Sequence, residues 1–128
     1  MRSRKPLPLN PKLKRKLVKT ATSKDTQRDA AFRSVIASIP KGKVATYGQV
    51  ASAAGYPLYH RAVARLLRTD PPDRLPWQRV VGAGGEIKLP MEAGAEQRLR
   101  LRMEGVTFRG RRVNLEAHQH EFRTWEIW

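Results

Sequence analysis

The residues with the most chemical content in this chain are the run Leu75-Pro76-Trp77-Gln78-Arg79-Val80-Val81 and three arginines, Arg61, Arg65 and Arg68. An indole set directly after a proline in a small basic protein is either a core residue or a flat apolar surface aimed at something planar. Arginines at i, i+4 and i+7 share one face of a helix, and no acid lies between Arg61 and Arg68. Such a face either contacts a polyanion or is a solvated charged surface. What is missing from the chain matters as much. It has no cysteine, which excludes thiolate nucleophiles, disulfides and Cys-ligated zinc together. Its three histidines are scattered and leave little for a metal. With no credible nucleophile, neither an enzyme nor a cofactor is expected.

Charge favours the polyanion. The chain sets 26 Lys and Arg against 11 Asp and Glu, a formal net charge of +15 over 128 residues. Nucleic acid is the leading partner for such a surface, and an anionic membrane the second. No stretch has the apolar length needed to cross a bilayer, and the N-terminus lacks the apolar run of a signal peptide. A cytoplasmic protein, associated with the nucleoid when bound to DNA and without a membrane partner, is therefore expected. The length suits one domain with a modest core.

Charge is also uneven along the chain. Residues 1–24 hold nine of the basic residues, none of the acids, and prolines at 6, 8 and 11. This composition predicts a disordered basic arm, either a grip on DNA or a solubilising extension. The remainder, 25–128, keeps 17 basic residues against 11 acids and is expected to form the DNA-binding domain.

Periodicity and punctuation then place the elements. Ala31, Phe32, Val35, Ile36 and Ile39 follow helical spacing over Thr26 to Ile39, ended by Pro40-Lys41-Gly42. Thr46 suits the N-cap of a short helix from Tyr47 to Ala54 closed by Gly55. After a turn at Tyr56-Pro57-Leu58, a second helix from about Tyr59 to Arg68 buries Tyr59, Val63 and Leu66 and displays the three arginines. Two short helices joined by a tight turn look like a helix-turn-helix. Arg79-Val80-Val81, Gly82-Ala83-Gly84-Gly85 and Glu86-Ile87 read as strand, glycine turn and strand, a small hairpin or wing. A further helix is expected from Ala93 to Glu104, and Phe122, Trp125 and Trp128 are expected to pack back on the core. The predicted class is mainly α with a small β-hairpin, a winged-helix-like helix-turn-helix domain.

The runs IPKGKVATYGQVASAAG, HRAVARLLR and LPWQRVVGAGGEI, followed by a helix ending in MEGV, resemble the C-terminal DNA-binding domain of O6-alkylguanine-DNA alkyltransferases over about residues 28 to 114. In those enzymes the signature PCHRV carries the cysteine that accepts the alkyl group. Here Trp77 stands at that position, which is the mark of the alkyltransferase-like proteins. Gln78 stands where the enzymes carry the histidine that helps deprotonate the cysteine, and a base is dispensable where no proton must be taken.

The resemblance implies a non-enzymatic sensor of O6-alkylguanine in double-stranded DNA. It would bind through the minor groove, flip the modified base and hand the site to nucleotide excision repair proteins, acting as a monomer. It implies that Arg61 enters the duplex in place of the extruded base, that Tyr47 crowds the flanking phosphate and that Trp77 lines the lesion pocket. Leu67, Val80, Ile87, Lys88 and Met91 fall at pocket-lining positions, with Lys88 where some relatives place an arginine. Thr46, Arg65 and Arg68 would contact the DNA backbone; Gln78, Arg79 and Glu104 would support the pocket. Ala64 and Arg65 depart from the two glycines usual in the second helix, so Arg65 is expected to swing outward to a phosphate. The alternative is a general winged-helix regulator or architectural DNA protein without lesion specificity. Deleting residues 1–24 should lower the slope of log affinity against log salt by about 0.9 for each phosphate that the arm neutralises; an unchanged slope would make the arm a bystander.

Overall fold

The computed structural model describes residues 11–122, with side chains described from residue 24. The first helix, α1, spans Pro11–Ala37. It starts well before the expected Thr26, so residues 11–24, expected to be a disordered arm, are helical here. The physical reason is in the sequence: no Pro or Gly interrupts residues 12–39, and Pro11 suits a first helical position, where its missing N–H costs nothing. The helix ends at Ala37 because Pro40 pushes the residue before it out of the α region. Ser38 and Ile39 close the last turn with three-residue hydrogen bonds to Val35 O and Ile36 O, both 3.1 Å.

β1 (Ala45–Thr46) leads directly into α2 (Tyr47–Ala53). The Thr46 hydroxyl accepts from Gln49 N at 3.1 Å while Thr46 N donates to Gln49 Oε1 at 2.8 Å, a reciprocal capping box. At the other end Gly55 takes φ 92°. Gly55 N then bonds Ser52 O and Tyr56 N bonds Ala51 O, the paired closure that a left-handed residue permits. α3 (His60–Thr69) follows and packs on α2, which gives the helix-turn-helix. Val63 and Leu66 are buried as expected, whereas Tyr59 stays 46% exposed, lying edge-on to Tyr56 and under the Arg28 guanidinium.

The glycine-rich stretch folds differently from the expected hairpin. β2 (Val80–Val81) pairs in parallel with β1, Ala45 opposite Val80 and Thr46 opposite Val81. Gly85 N bonds Gly82 O at 3.0 Å and Gly82 N bonds Glu86 O at 2.7 Å, closing a tight turn in which Gly84 and Gly85 take φ 72° and 86°, and β2 does not pair with the segment that follows it. Pairing with β1 wins because it buries both valines, each 1% exposed. Val80 belongs to the core formed by Phe32, Val35, Ile36, Ile39, Val50, Ala51, Val63 and Leu66; Val81 belongs to a second core with Val44, Ile87, Leu101, Val106 and Val113. Successive strand residues point to opposite faces, so this two-residue strand joins both cores. α4 (Met91–Met103) runs close to the predicted helix. The hairpin of the fold lies after it, as β3 (Phe108–Arg109) against β4 (Arg112–Val113), followed by α5 (Leu115–His118). Phe122 packs against the first core; Trp125 and Trp128 lie outside the described residues.

The class is therefore mainly α with small two-stranded sheets around a helix-turn-helix. No helix among the described residues is long and apolar enough to cross a membrane. Gly55→Ala should destabilise the domain by roughly 1–2 kcal/mol, because an L side chain at that φ is strained; urea denaturation of the variant measures it, and an unchanged midpoint would contradict this reading of the turn.

Candidate nucleic-acid interface

α3 presents Arg61, Arg65 and Arg68 to solvent, opposite its buried Val63 and Leu66. Two anchors fix how it is presented. The capping box at Thr46 sets the start of α2, and the Arg33 guanidinium grips Asp70, at the end of α3, with two hydrogen bonds of 2.8 and 3.0 Å. Hydrogen bonding to Arg33 holds the Asp70 carboxyl below its ordinary range, against a smaller opposing effect of burial. The Thr46 hydroxyl accepts from Gln49 N in the cap, a role that does not use its own O–H.

Beside this face opens a cavity of about 410 Å³, within the size range of small-ligand pockets. Tyr47, His60, Arg61, Ala64, Leu67 and Arg68 line it from the helix-turn-helix, and Trp77, Val80, Lys88, Leu89, Pro90 and Gln97 complete it. The structure thus brings together Tyr47, Arg61, Arg68, Leu67, Trp77, Val80 and Lys88 from the expected site. Ile87 is 8% exposed and points into the second core, because it alternates with Lys88 along an extended segment. Met91 is 87% exposed and takes φ 49° at the start of α4. Neither lines the cavity, so both expected assignments are corrected. Arg65 is exposed outside the lining, while Arg68, expected at the backbone, forms part of the cavity wall.

Trp77 lines the cavity without filling it. The Arg100 guanidinium lies 5.3 Å from the centre of its ring and is itself held by Glu96 at 3.1 Å. The indole Nε1 is buried and has no hydrogen-bond partner among the described residues. Burial raises the Tyr47 phenol above its ordinary pKa, with the Arg68 charge pulling the other way. Tyr47 is therefore a neutral hydroxyl at physiological pH and brings no anion to a basic face.

One carboxylate organises the loop that carries Trp77. Gln78 Nε2 donates to Glu104 Oε2 at 2.8 Å, Arg79 Nε and Nη2 donate to Glu104 Oε1 and Oε2 at 3.0 Å each, and Arg79 Nη1 donates to Ile39 O at 2.8 Å. The cluster ties the 3₁₀ turn Trp77–Arg79 to the end of α4 and to the end of the first helix. Gln97 reinforces it from α4, its Nε2 donating to Gln78 O at 3.1 Å and Val80 O at 2.9 Å. His60, Ala64, Leu89, Pro90 and Gln97 went unforeseen as lining residues. For Gln97 a signal existed: Gly94, Gln97 and Leu101 are spaced as one buried helical stripe, and a lone amide in it marks a polar tether. Among the described residues no group of three His, Asp or Glu is placed to hold a metal.

Burial alone would raise the Glu104 pKa, but hydrogen bonds from Arg79 and Gln78 outweigh it and leave the carboxyl below its ordinary 4.5. A carboxyl depressed on folding stabilises fully above that ordinary value and loses the contribution as pH falls through the lower folded value. Glu104→Ala should therefore cost about 3 kcal/mol near neutral pH, since it strands a largely buried guanidinium. The gap between variant and wild type, read by urea denaturation, should stay constant from pH 8 to about pH 5 and narrow in stronger acid.

The chain matches the family model described as the DNA binding domain of 6-O-methylguanine DNA methyltransferase over residues 28–106. It is 45% identical over 74 residues to the DNA base-flipping protein of Vibrio parahaemolyticus, covering 57% of this chain and 74% of that one. It is 40% identical over 74 residues to Alkyltransferase-like protein 1 of Schizosaccharomyces pombe, covering 56% and 68%. The fold superposes on the S. pombe Atl1 protein, solved in complex with damaged DNA containing O6-carboxymethylguanine, with a TM-score of 0.67 and 30% identity over 76% of this chain and 97% of that chain. The helix-turn-helix, the Trp77 turn and the Glu104 cluster all fall inside the matched span, and the chain belongs to the family of the 6-O-methylguanine DNA methyltransferase DNA-binding domain.

Proposed function

We propose that this protein is a non-enzymatic sensor of O6-alkylguanine in duplex DNA. The observation that carries the reading is the cavity between the arginine face of α3 and Trp77 in a chain without a single cysteine. Removing an alkyl group from guanine O6 by direct transfer requires a soft, activated nucleophile, which a thiolate supplies and an indole does not. Binding is what remains. The relatives named for base flipping and for alkyltransferase likeness, and a structural neighbour bound to O6-carboxymethylguanine DNA, support the same reading.

The basic face of α3 neutralises backbone phosphates, with Arg65 reaching outward and Arg68 spanning phosphate and cavity rim. Tyr47 crowds the phosphate beside the target nucleotide, and Arg61 fills the space the base leaves, offsetting an unstacking cost of a few kcal/mol. The extruded base then lies among Leu67, Val80 and Trp77. Gln78, Arg79 and Glu104 keep the Trp77 turn from collapsing into the space. The protein acts as a monomer on cytoplasmic, nucleoid DNA, the unit from residue 25 onward serving as the DNA-binding domain. It holds the lesion unrepaired and marks it for the damage-recognition proteins of nucleotide excision repair.

The test compares matched duplexes carrying guanine or O6-methylguanine at one salt concentration. Wild type should prefer the lesion, and Arg61→Ala should reduce that preference by roughly tenfold, equivalent to about 1.4 kcal/mol. Trp77→Ala should weaken lesion binding more than guanine binding. Equal affinity for the two duplexes would point instead to an architectural binder, and transfer of labelled methyl to the protein would overturn the non-enzymatic reading.

A further inference from the structure

We infer that the cavity favours O6 substituents that end in a carboxylate, and that Lys88 is the residue that reads their charge. The inference rests on the base-capturing role proposed above and narrows it to a class of adduct. Its starting point is the sign of the cavity wall. The lining includes the cations Arg61, Arg68 and Lys88 together with His60, and no Asp or Glu. Arg61 and Arg68 sit on α3, and in the reading above Arg61 is taken up by the gap the base leaves and Arg68 by the phosphates. Lys88 lies on the loop between β2 and α4, away from that helix, and is the cation left for a group inside the cavity.

The local structure keeps Lys88 in place while leaving its charge available. Its aliphatic stem runs across Gly82, where an added Cβ would come within 2.8 Å of both Cγ and Cε, so a larger residue there would displace it. Its ammonium stands 3.3 Å from Glu86 Oε2, in a pair whose side chains are 55% and 46% exposed. An ion pair this open contributes little and exchanges readily, so a ligand carboxylate can take the place of Glu86. Leu67, Val80, Leu89 and Pro90 form an apolar surround that lowers the local dielectric and strengthens a charge contact made inside it. Lysine also differs from arginine in kind. Its ammonium is a compact point charge with no flat face to stack, which suits a localised anion better than an extended apolar adduct.

The experiment uses the full-length protein and three duplexes identical except at one guanine, which carries O6-methyl, O6-carboxymethyl or the uncharged isostere O6-carbamoylmethyl. Binding is measured at one salt concentration, because phosphate contacts set the background affinity. Wild type should bind the carboxymethyl duplex roughly fivefold more tightly than its carbamoylmethyl counterpart. The ratio should fall to about one in Lys88→Met and stay above one in Lys88→Arg. A wild-type ratio near one, with both adducts still preferred over guanine, would overturn this inference and leave the sensor reading intact; so would a ratio that survives in Lys88→Met. Loss of preference for every adduct over guanine would overturn both.

Discussion

The Glu104 carboxylate is the constraint on which the site depends. Four hydrogen bonds, made by Glu104 or by its partner Arg79, converge from the Trp77 turn, α4 and the end of α1. Together with the two Gln97 hydrogen bonds to Gln78 O and Val80 O, they hold a three-residue 3₁₀ turn, preceded by proline and carrying a large indole, off the neighbouring apolar surface. A largely buried carboxylate is tolerable only because each of its oxygens accepts from charged or amide donors. The arrangement exchanges a buried charge for a fixed loop geometry, and the cavity stays open as a result.

A division of labour follows. The first core sets the helix-turn-helix at an angle that exposes the α3 arginines, with Arg33 and Asp70 locking the far end of that helix. The second core carries α4 and the hairpin, and through α4 delivers Gln97, Arg100 and Glu104 to the Trp77 turn. The parallel pair of β1 and β2 is the seam between them, with Val80 in the first core and on the cavity wall and Val81 in the second core. Trp77 sits at this junction, with Arg100 across one face of its ring. The proposed capture of a planar base needs such a wall to be rigid in advance, since ordering it on binding would subtract from affinity.

Much of this is legible in the residues. The helix-turn-helix shows through local rules: Thr46 three residues before Gln49, Gly55 at a helix end, and apolar and basic positions separated by helical rotation. The importance of Trp77 is legible because indole after proline in a cysteine-free basic chain is an unusual choice. What escapes is non-local. Val80 and Val81 read as one arm of a hairpin with Glu86 and Ile87, because nothing in a two-residue strand says that its partner is Ala45 and Thr46. The true hairpin, at 108–113, is equally short and shows no alternation. Resemblance puts Ile87 and Met91 in the cavity, but one peptide step decides whether a side chain meets the core or the cavity, and Lys88 takes the cavity side. The basic segment before residue 25 reads as disordered from composition, although the freedom of residues 12–24 from Gly and Pro is itself an argument for helix.

The central claim is that the space beside α3 receives an everted base against Trp77. The most direct measurement is a crystal structure of the full-length protein with a duplex containing a single O6-methylguanine. The modified base should lie outside the stack, between Tyr47, Leu67, Val80 and Trp77, with Arg61 in the gap it leaves. A lesion still stacked within the duplex, with the cavity closed over by Trp77, would contradict the claim.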